Sequence, residues 1–100
     1  MKALKISGVI RLVDSDNAPQ GIRAALNCAH YSTHGLRDGA VMLTDADAEA
    51  KGLPYNQLAS LIAEAGVYGT ALIVGADEDE FGDVPECYLS LLGLNDGLKE

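Results

Sequence analysis

The residues with the clearest metal-binding chemistry are one cysteine and two histidines that lie close together in the chain. They are Cys28, His30 and His34, and the two histidines would share a face if this segment were helical. Cys28 would then point away from His30, and no further Cys or His follows nearby in the sequence. The pattern favours an ordinary helix end, where histidines interact with the helix dipole, and predicts no metal site and no cofactor.

A second chemical pattern is the alternation of acids at Asp45, Asp47 and Glu49, which begins like a calcium-binding loop. Such a loop needs glycine at its sixth position and glutamate at its twelfth, where this chain has Ala50 and Asn56. The match fails, and acids in the first turn of a helix account for the same spacing. No nucleophile–base arrangement or phosphate-binding loop can be assigned either. The sequence thus leaves enzymatic activity open and favours a non-enzymatic role.

The charge of the chain is divided unevenly along its length. The formal net charge is −8, with five basic and two acidic side chains in residues 1–37 and two basic and thirteen acidic side chains in residues 38–100. The second part should repel phosphate backbones and attract basic surfaces, because steering follows the sign of the summed field. Solubility alone is the alternative explanation of this acidity.

Hydrophobic periodicity predicts the elements that position these residues. We expect one α+β domain over residues 1–100, in the order strand, helix, short strand, helix, helix and β-hairpin. The first strand covers Lys2–Val13, and the first helix runs from Pro19 to about Tyr31. The remaining expected elements are a strand at Ala40–Leu43, helices at 44–51 and 54–65, and hairpin strands at Val67–Ala76 and Glu86–Leu94.

Residues 44–65 carry the spacing of a helix pair joined by a tight turn. Ala48 is the small residue where two helices would meet, Gly52 and Leu53 form the turn, and Leu58 and Leu61 face the first helix. The segment resembles a helix-turn-helix unit, and with the hairpin after it the chain is similar to winged helix-turn-helix domains. The alternative is an α/β sandwich, in which the first strand pairs with the C-terminal hairpin.

That resemblance implies a second helix that enters the major groove of DNA. The residues implied as DNA contacts are Lys51, Tyr55, Asn56, Gln57 and Ser60. The second helix has no Lys or Arg, however, and the wing would consist of Asp77–Glu80. Such a surface cannot neutralise phosphates, so the charge opposes DNA binding through this face.

The sequence therefore favours a small acidic protein-interaction module, similar in general terms to inhibitors or adaptors carried by phages and plasmids. It would dock on the basic, nucleic-acid-binding surface of a partner protein. The expected partner-binding residues are Asp77, Glu78, Asp79, Glu80, Asp83 and Glu86. The alternative is a helix-turn-helix transcriptional regulator, which would act as a homodimer to concentrate its few positive charges.

The same sequence predicts a cytoplasmic protein that has no role in a membrane. Nothing in it approaches the run of about 18 apolar residues that a spanning helix needs. Cys28 and Cys87 are expected to be reduced and buried, with a disulfide between them as the alternative.

Overall fold

The computed structural model of the chain describes residues 1–7, 9–16, 18–77 and 80–93. Over these residues it consists of six antiparallel strands and three short helices. The strands are β1 (Lys2–Ile6), β2 (Ile10–Asp14), β3 (Tyr31–Gly35), β4 (Ala40–Asp45), β5 (Ala71–Asp77) and β6 (Glu80–Gly82). The helices are α1 (Pro19–Leu26), α2 (Gln57–Ala63) and a 3₁₀ helix (Glu86–Gly93).

The strands form a single sheet in the order β2-β1-β5-β4-β3. Every neighbouring pair is antiparallel, and β6 adds a short ladder to the end of β5. Strand β5 lies in the middle, where Ile73 is opposite Leu4 on one side and Met42 on the other. Residues Ala71 to Gly75 are buried, which explains why β5 reads as an unbroken apolar run rather than an alternating one.

Helices cover both faces of this sheet. On one face α2 and the 3₁₀ helix pack over a core that includes Leu4, Met42 and Ile73, and on the other face α1 packs Ile22 against Leu72. Full burial of a side chain such as Leu72 or Ile73 stabilises the fold by about 1.5–3 kcal/mol. The sheet is therefore the middle layer of three, and its two ends are left for connections.

The winged helix-turn-helix prediction is wrong. Thr44 and Asp45 complete strand β4, residues 46–52 form turns, and α2 is the one α-helix between residues 44 and 65. Thr44 was expected to begin a helix, but its position opposite Ser32 and Ala71 in the sheet outweighs that local preference. The α+β arrangement with two adjacent helices is replaced by a fold dominated by its sheet.

Three further elements differ from expectation. The strand expected over residues 2–13 is a hairpin, closed where Ser7 N donates to Val9 O at 3.1 Å. Helix α1 does begin at Pro19, but it ends at Leu26, because Asn27 adopts the left-handed conformation that commonly terminates helices. The last strand was expected at residues 86–94, and residues 86–93 form the 3₁₀ helix instead, while residue 94 lies outside the described residues.

Candidate functional site

Four connections of the chain meet at one end of the sheet. Lys2 at the start of β1 lies opposite Asp14 at the end of β2, and Gly75 near the end of β5 lies opposite Gly82. Val84 N donates to Lys2 O at 2.8 Å, which brings the segment after β6 to the same end. The β3–β4 turn joins them, since Ala76 N donates to Gly39 O at 2.8 Å.

This end of the sheet collects acidic residues that are far apart in the sequence. We call it the acidic end and define it by Asp14, Asp16, Asp38, Asp77, Glu80, Asp83 and Glu86. Apart from Asp77, which is placed here by its backbone alone, all of them are exposed. The positive groups placed here by the same connections are Lys2, Arg37 and the amine of Met1, whose nitrogen lies 3.1 Å from Asp14 Oδ1. The summed charge at this end is therefore strongly negative.

The 3₁₀ helix is held against the β3–β4 turn by polar contacts. Tyr88 Oη donates a 2.8 Å hydrogen bond to Arg37 O, and Cys87 Sγ lies 3.8 Å from Asp38 Oδ2. The pKa of Tyr88 is raised, mainly because the hydroxyl group is partly buried and secondly because Asp38 is negatively charged. These contacts keep Tyr88 a hydrogen-bond donor and place the start of the 3₁₀ helix, which begins at Glu86, beside the β3–β4 turn.

The expected partner-binding residues are distributed as follows. Glu80, Asp83 and Glu86 stand exposed at the acidic end, and Asp77 ends strand β5 there. Asp83 also has a structural task, because its Oδ1 accepts a 2.8 Å hydrogen bond from Lys2 N. Glu78 and Asp79 lie outside the described residues.

Sequence reasoning missed three members of the acidic end, namely Asp14, Asp16 and Asp38. Asp14 and Asp16 lie in the part of the chain that is basic overall, and Asp38 follows directly after Arg37, far in sequence from the acidic run at residues 77–86, so a count of charge along the sequence does not group them with that run. One local signal was available for Asp38. It precedes Gly39, and an Asp-Gly pair between two strand-like runs is a strong hairpin signal. Both residues have positive φ, 59° and 75°, as that kind of turn requires.

Lys51, one of the expected DNA contacts, is exposed but forms an ion pair with a buried carboxylate of its own chain. Its Nζ lies 2.6 Å from Asp45 Oδ2, and the Asp45 side chain is only 3% exposed. This hydrogen bond lowers the pKa of Asp45 and raises the pKa of Lys51, so both groups are charged at neutral pH. Asp45 Oδ1 also accepts from Asp47 N at 2.8 Å. The pair stabilises the turn that replaces the expected helix.

Asn56 and Ser60 are also committed to the fold. Asn56 Nδ2 donates to Ile6 O and Gly69 O, and its Oδ1 accepts from Ala59 N at the start of α2. Ser60 is buried, and its Oγ accepts a 2.8 Å hydrogen bond from Val67 N. These side chains cannot read base edges without breaking the bonds that position α2.

The other two expected DNA contacts border an open apolar depression of about 590 Å³. Tyr55 is 56% exposed and packs edge-to-face on Tyr68, and Gln57 is exposed at the start of α2. Leu61, 68% exposed, forms another wall. The depression lies near Ser7 and Thr70, at the end of the sheet opposite the acidic end, and its described lining holds no charged side chain.

Of the cysteine and histidines considered first, Cys28 and His30 both lie near Asp45, and the fold separates His34 from them. Cys28 is half-buried near Asp45, and His34 lies in β3 with its Nε2 3.1 Å from Ala63 O. Within the described ranges, no three His, Cys, Asp or Glu side chains are placed to share a metal ion. Cys87 is exposed, so the expectation that both thiols are buried is wrong for it.

Comparison with known proteins gives one match. A family model described as a domain of unknown function, DUF3846, matches residues 1–92. No curated protein and no solved structure matches the chain. None of the helices described here is long and apolar enough to span a membrane.

Proposed function

Because the chain belongs to the DUF3846 family, we propose from its own residues that it is a non-enzymatic protein-interaction module whose acidic end docks on a basic partner protein. The partner surface would be one that otherwise binds nucleic acid, so that docking makes this protein an inhibitor or an adaptor. No cofactor and no covalent chemistry are needed for this role.

The observation that carries the proposal is the convergence of acids from four connections at one end of the sheet. Asp14 and Asp38 reach it from the first half of the chain, while Glu80, Asp83 and Glu86 reach it from the second. A local concentration of like charge steers the encounter with a surface of opposite charge and raises the association rate. Since nucleic-acid sites are rich in Lys and Arg, such a surface is the natural complement.

Solubility is the competing explanation of the acidity, and the two explanations differ in whether it matters where on the surface the acidic residues lie. Charge that only keeps a protein soluble works equally well anywhere on the surface. Charge that docks on a partner works only where the partner binds. Asp47 and Glu49 are exposed acids in the turn after β4, at the opposite end of the sheet, and they provide a matched comparison.

The first step of the test is affinity capture from the native host's lysate, with and without nuclease. A basic protein retained after nuclease treatment would be the candidate partner, and DNA retained directly would contradict the proposal. Binding of that protein is then compared between a Glu80→Gln, Glu86→Gln variant and an Asp47→Asn, Glu49→Gln variant. Both variants remove two negative charges.

We expect the first variant to weaken binding between about twofold and thirtyfold, as two exposed ion pairs would, and the second to leave it unchanged. The weakening should shrink as salt is added, because exposed charges are screened. Equal effects of the two variants would contradict docking through the acidic end.

A further inference from the structure

Strand β3 forms one edge of the sheet, and its hydrogen bonds to β4 use alternate residues. Leu36 N donates to Ala40 O at 2.9 Å, and Ala46 N donates to His30 O at 3.0 Å. In an antiparallel ladder the bonded pairs alternate, so residues 30, 32, 34 and 36 face β4 with their N–H and C=O groups. The N–H and C=O groups of Tyr31, Thr33 and Gly35 consequently point outward.

Nothing in the described part of the chain bonds to these outward groups. Ser32, Thr33, His34 and Gly35 are all exposed. Natural edge strands are usually protected from pairing by Lys, charged side chains or proline, and Tyr31–Gly35 contains none of these. The opposite edge, β2, carries both Arg11 and Asp14.

We propose that β3 pairs antiparallel with β3 of a second copy of this chain, with Thr33 at the twofold axis. In this register Thr33 exchanges two hydrogen bonds with the partner's Thr33. Tyr31 exchanges two with the partner's Gly35, and Gly35 exchanges two with the partner's Tyr31. All six outward groups of each strand are then satisfied. A shift by two residues would leave some of them unpaired.

The side chains suit the same register. A Cβ atom placed on Gly35 would meet nothing within 4 Å, so there is open space above this residue. The partner's Tyr31, which is half-buried against the α1 face of its own sheet, lies across from that space on the same face. An aromatic ring beside a cross-strand glycine is a favourable edge pairing. Thr33 against the partner's Thr33 is likewise a favourable cross-strand pair.

The charges also agree with self-pairing. Strand β3 contains no Asp, Glu, Lys or Arg although the chain carries −8, and the residue at the axis is Thr33, so like charges do not face each other there. Arg37 lies just beyond one end of β3. Asp47 lies beside the other end, because Ala46 bonds to His30. Antiparallel pairing places Arg37 of each copy at the same end of the paired strands as the partner's Asp47, so charges of opposite sign lie at that end.

This inference does not rest on the proposed docking function. The acids that define the acidic end lie outside the paired strands, and Arg37 stands between them and the pairing. In the dimer the two acidic ends point in opposite directions. A monomer could still dock, and a dimer could still form without any docking partner.

The first experiment measures mass by sedimentation equilibrium over a range of concentrations. We expect the unmodified chain to form a species of twice the 10.5 kDa chain mass. Thr33→Lys places two like charges across the axis and should leave a monomer with an unchanged circular dichroism spectrum. Gln20→Lys, which adds the same charge on the exposed side of α1, should leave the dimer intact. A monomeric unmodified chain, or a dimer unaffected by Thr33→Lys, would overturn the proposal.

The second experiment tests the register in a chain whose Cys28 and Cys87 are replaced by serine. The Cα atoms of a hydrogen-bonded antiparallel pair lie about 5.5 Å apart, within the range that a disulfide spans. Thr33→Cys should therefore give a covalent dimer with oxidised glutathione, whereas Ser32→Cys, opposite the partner's His34, should not. Cross-linking of both variants or of the Ser32→Cys variant alone would contradict this register.

Discussion

The side-chain amide of Asn56 donates a 3.0 Å hydrogen bond to the carbonyl oxygen of Ile6, a residue 50 positions earlier in the chain. The same Nδ2 atom donates to Gly69 O at 2.8 Å, while Oδ1 accepts from Ala59 N at 3.0 Å. One side chain thus joins the end of β1, the segment before β5 and the first turn of α2. Asn56 holds that helix in place over the sheet.

We expect Asn56→Ala to lower the free energy of unfolding by about 2–4 kcal/mol, because the helix loses its N-cap and two carbonyl groups lose a donor. Asn56→Asp should recover only part of this, since the carboxylate keeps the cap but cannot donate to Ile6 O. Urea unfolding measures the effect. Gln57→Ala, at the exposed neighbouring position, serves as the control and should change stability by less than about 0.5 kcal/mol.

Gly75 is required by the close approach of two backbone segments. A Cβ atom at this position would collide with the carbonyl oxygen of Asp83. Gly75→Ala should therefore destabilise the protein by about 1–3 kcal/mol, as overpacking of a rigid core does. Gly66→Ala is the matched control, because its Cβ would meet only Tyr68 Cε1 at an ordinary 3.8 Å. Equal thermal unfolding midpoints for the two variants would contradict this account.

The contact between Asp45 and Lys51 makes stability depend on pH at both extremes. The Asp45 pKa is lowered in the folded chain, so its contribution is present above the unfolded value of about 3.9 and is lost as the pH falls through the folded pKa. The Lys51 pKa is raised, so its contribution is present below about 10.4 and is lost as the pH rises through the folded pKa.

Urea unfolding of Lys51→Met across the pH range tests this dependence. We expect its stability profile to be flatter than that of the unmodified chain below about pH 4 and above about pH 10. Lys2→Met, which removes an exposed lysine, is the control and should keep the original profile. A Lys51→Met profile of unchanged shape would show that the pair contributes no pH dependence.

The two thiols should differ in reactivity towards iodoacetamide. The pKa of Cys28 is raised, mainly by burial and secondly by the negative charge of Asp45, and a raised pKa lowers the fraction of thiolate. Cys87, in contrast, is exposed. We expect one fast and one slow alkylation at pH 8, with Cys87→Ser removing the fast phase. Asp45→Asn should accelerate the slow phase and Glu49→Gln should not. Mass spectrometry of the alkylated peptides would identify each site.

The parts of the fold that could be predicted from sequence were those with strong local signals. Pro19 marked the start of α1, and the apolar run at Ala40–Leu43 marked β4. The β3–β4 hairpin was missed although Asp38-Gly39 signals it, because the residues of β3, Tyr31–Gly35, are mostly polar and do not alternate. An exposed edge strand has little hydrophobic pattern to detect.

The helix expected at residues 44–51 failed for a different reason. Thr44 with Asp47 fits a capping box, but Asp45 is buried and turns its carboxylate to Asp47 N and Lys51. The pairing of Thr44 and Asp45 with neighbouring strands decided that this segment is a strand and a turn. Rules based on local sequence do not include such contacts. The acidic end was only partly predictable, again because it depends on tertiary structure. Asp77, Glu80, Asp83 and Glu86 lie close together in sequence, whereas Asp14 and Asp38 join them only through the order of the strands.

The position of β1 between β2 and β5 has a consequence for biosynthesis. The β1–β2 hairpin is complete by residue 14, but β5 begins only at residue 71. At synthesis rates of about 5–20 residues per second, the edge of β1 that pairs with β5 stays unpaired for roughly 3–13 seconds after the hairpin is made. During that interval the nascent chain displays Leu4 and Ile6 on an unpaired strand, so newly made copies on neighbouring ribosomes risk pairing with each other before β5 emerges.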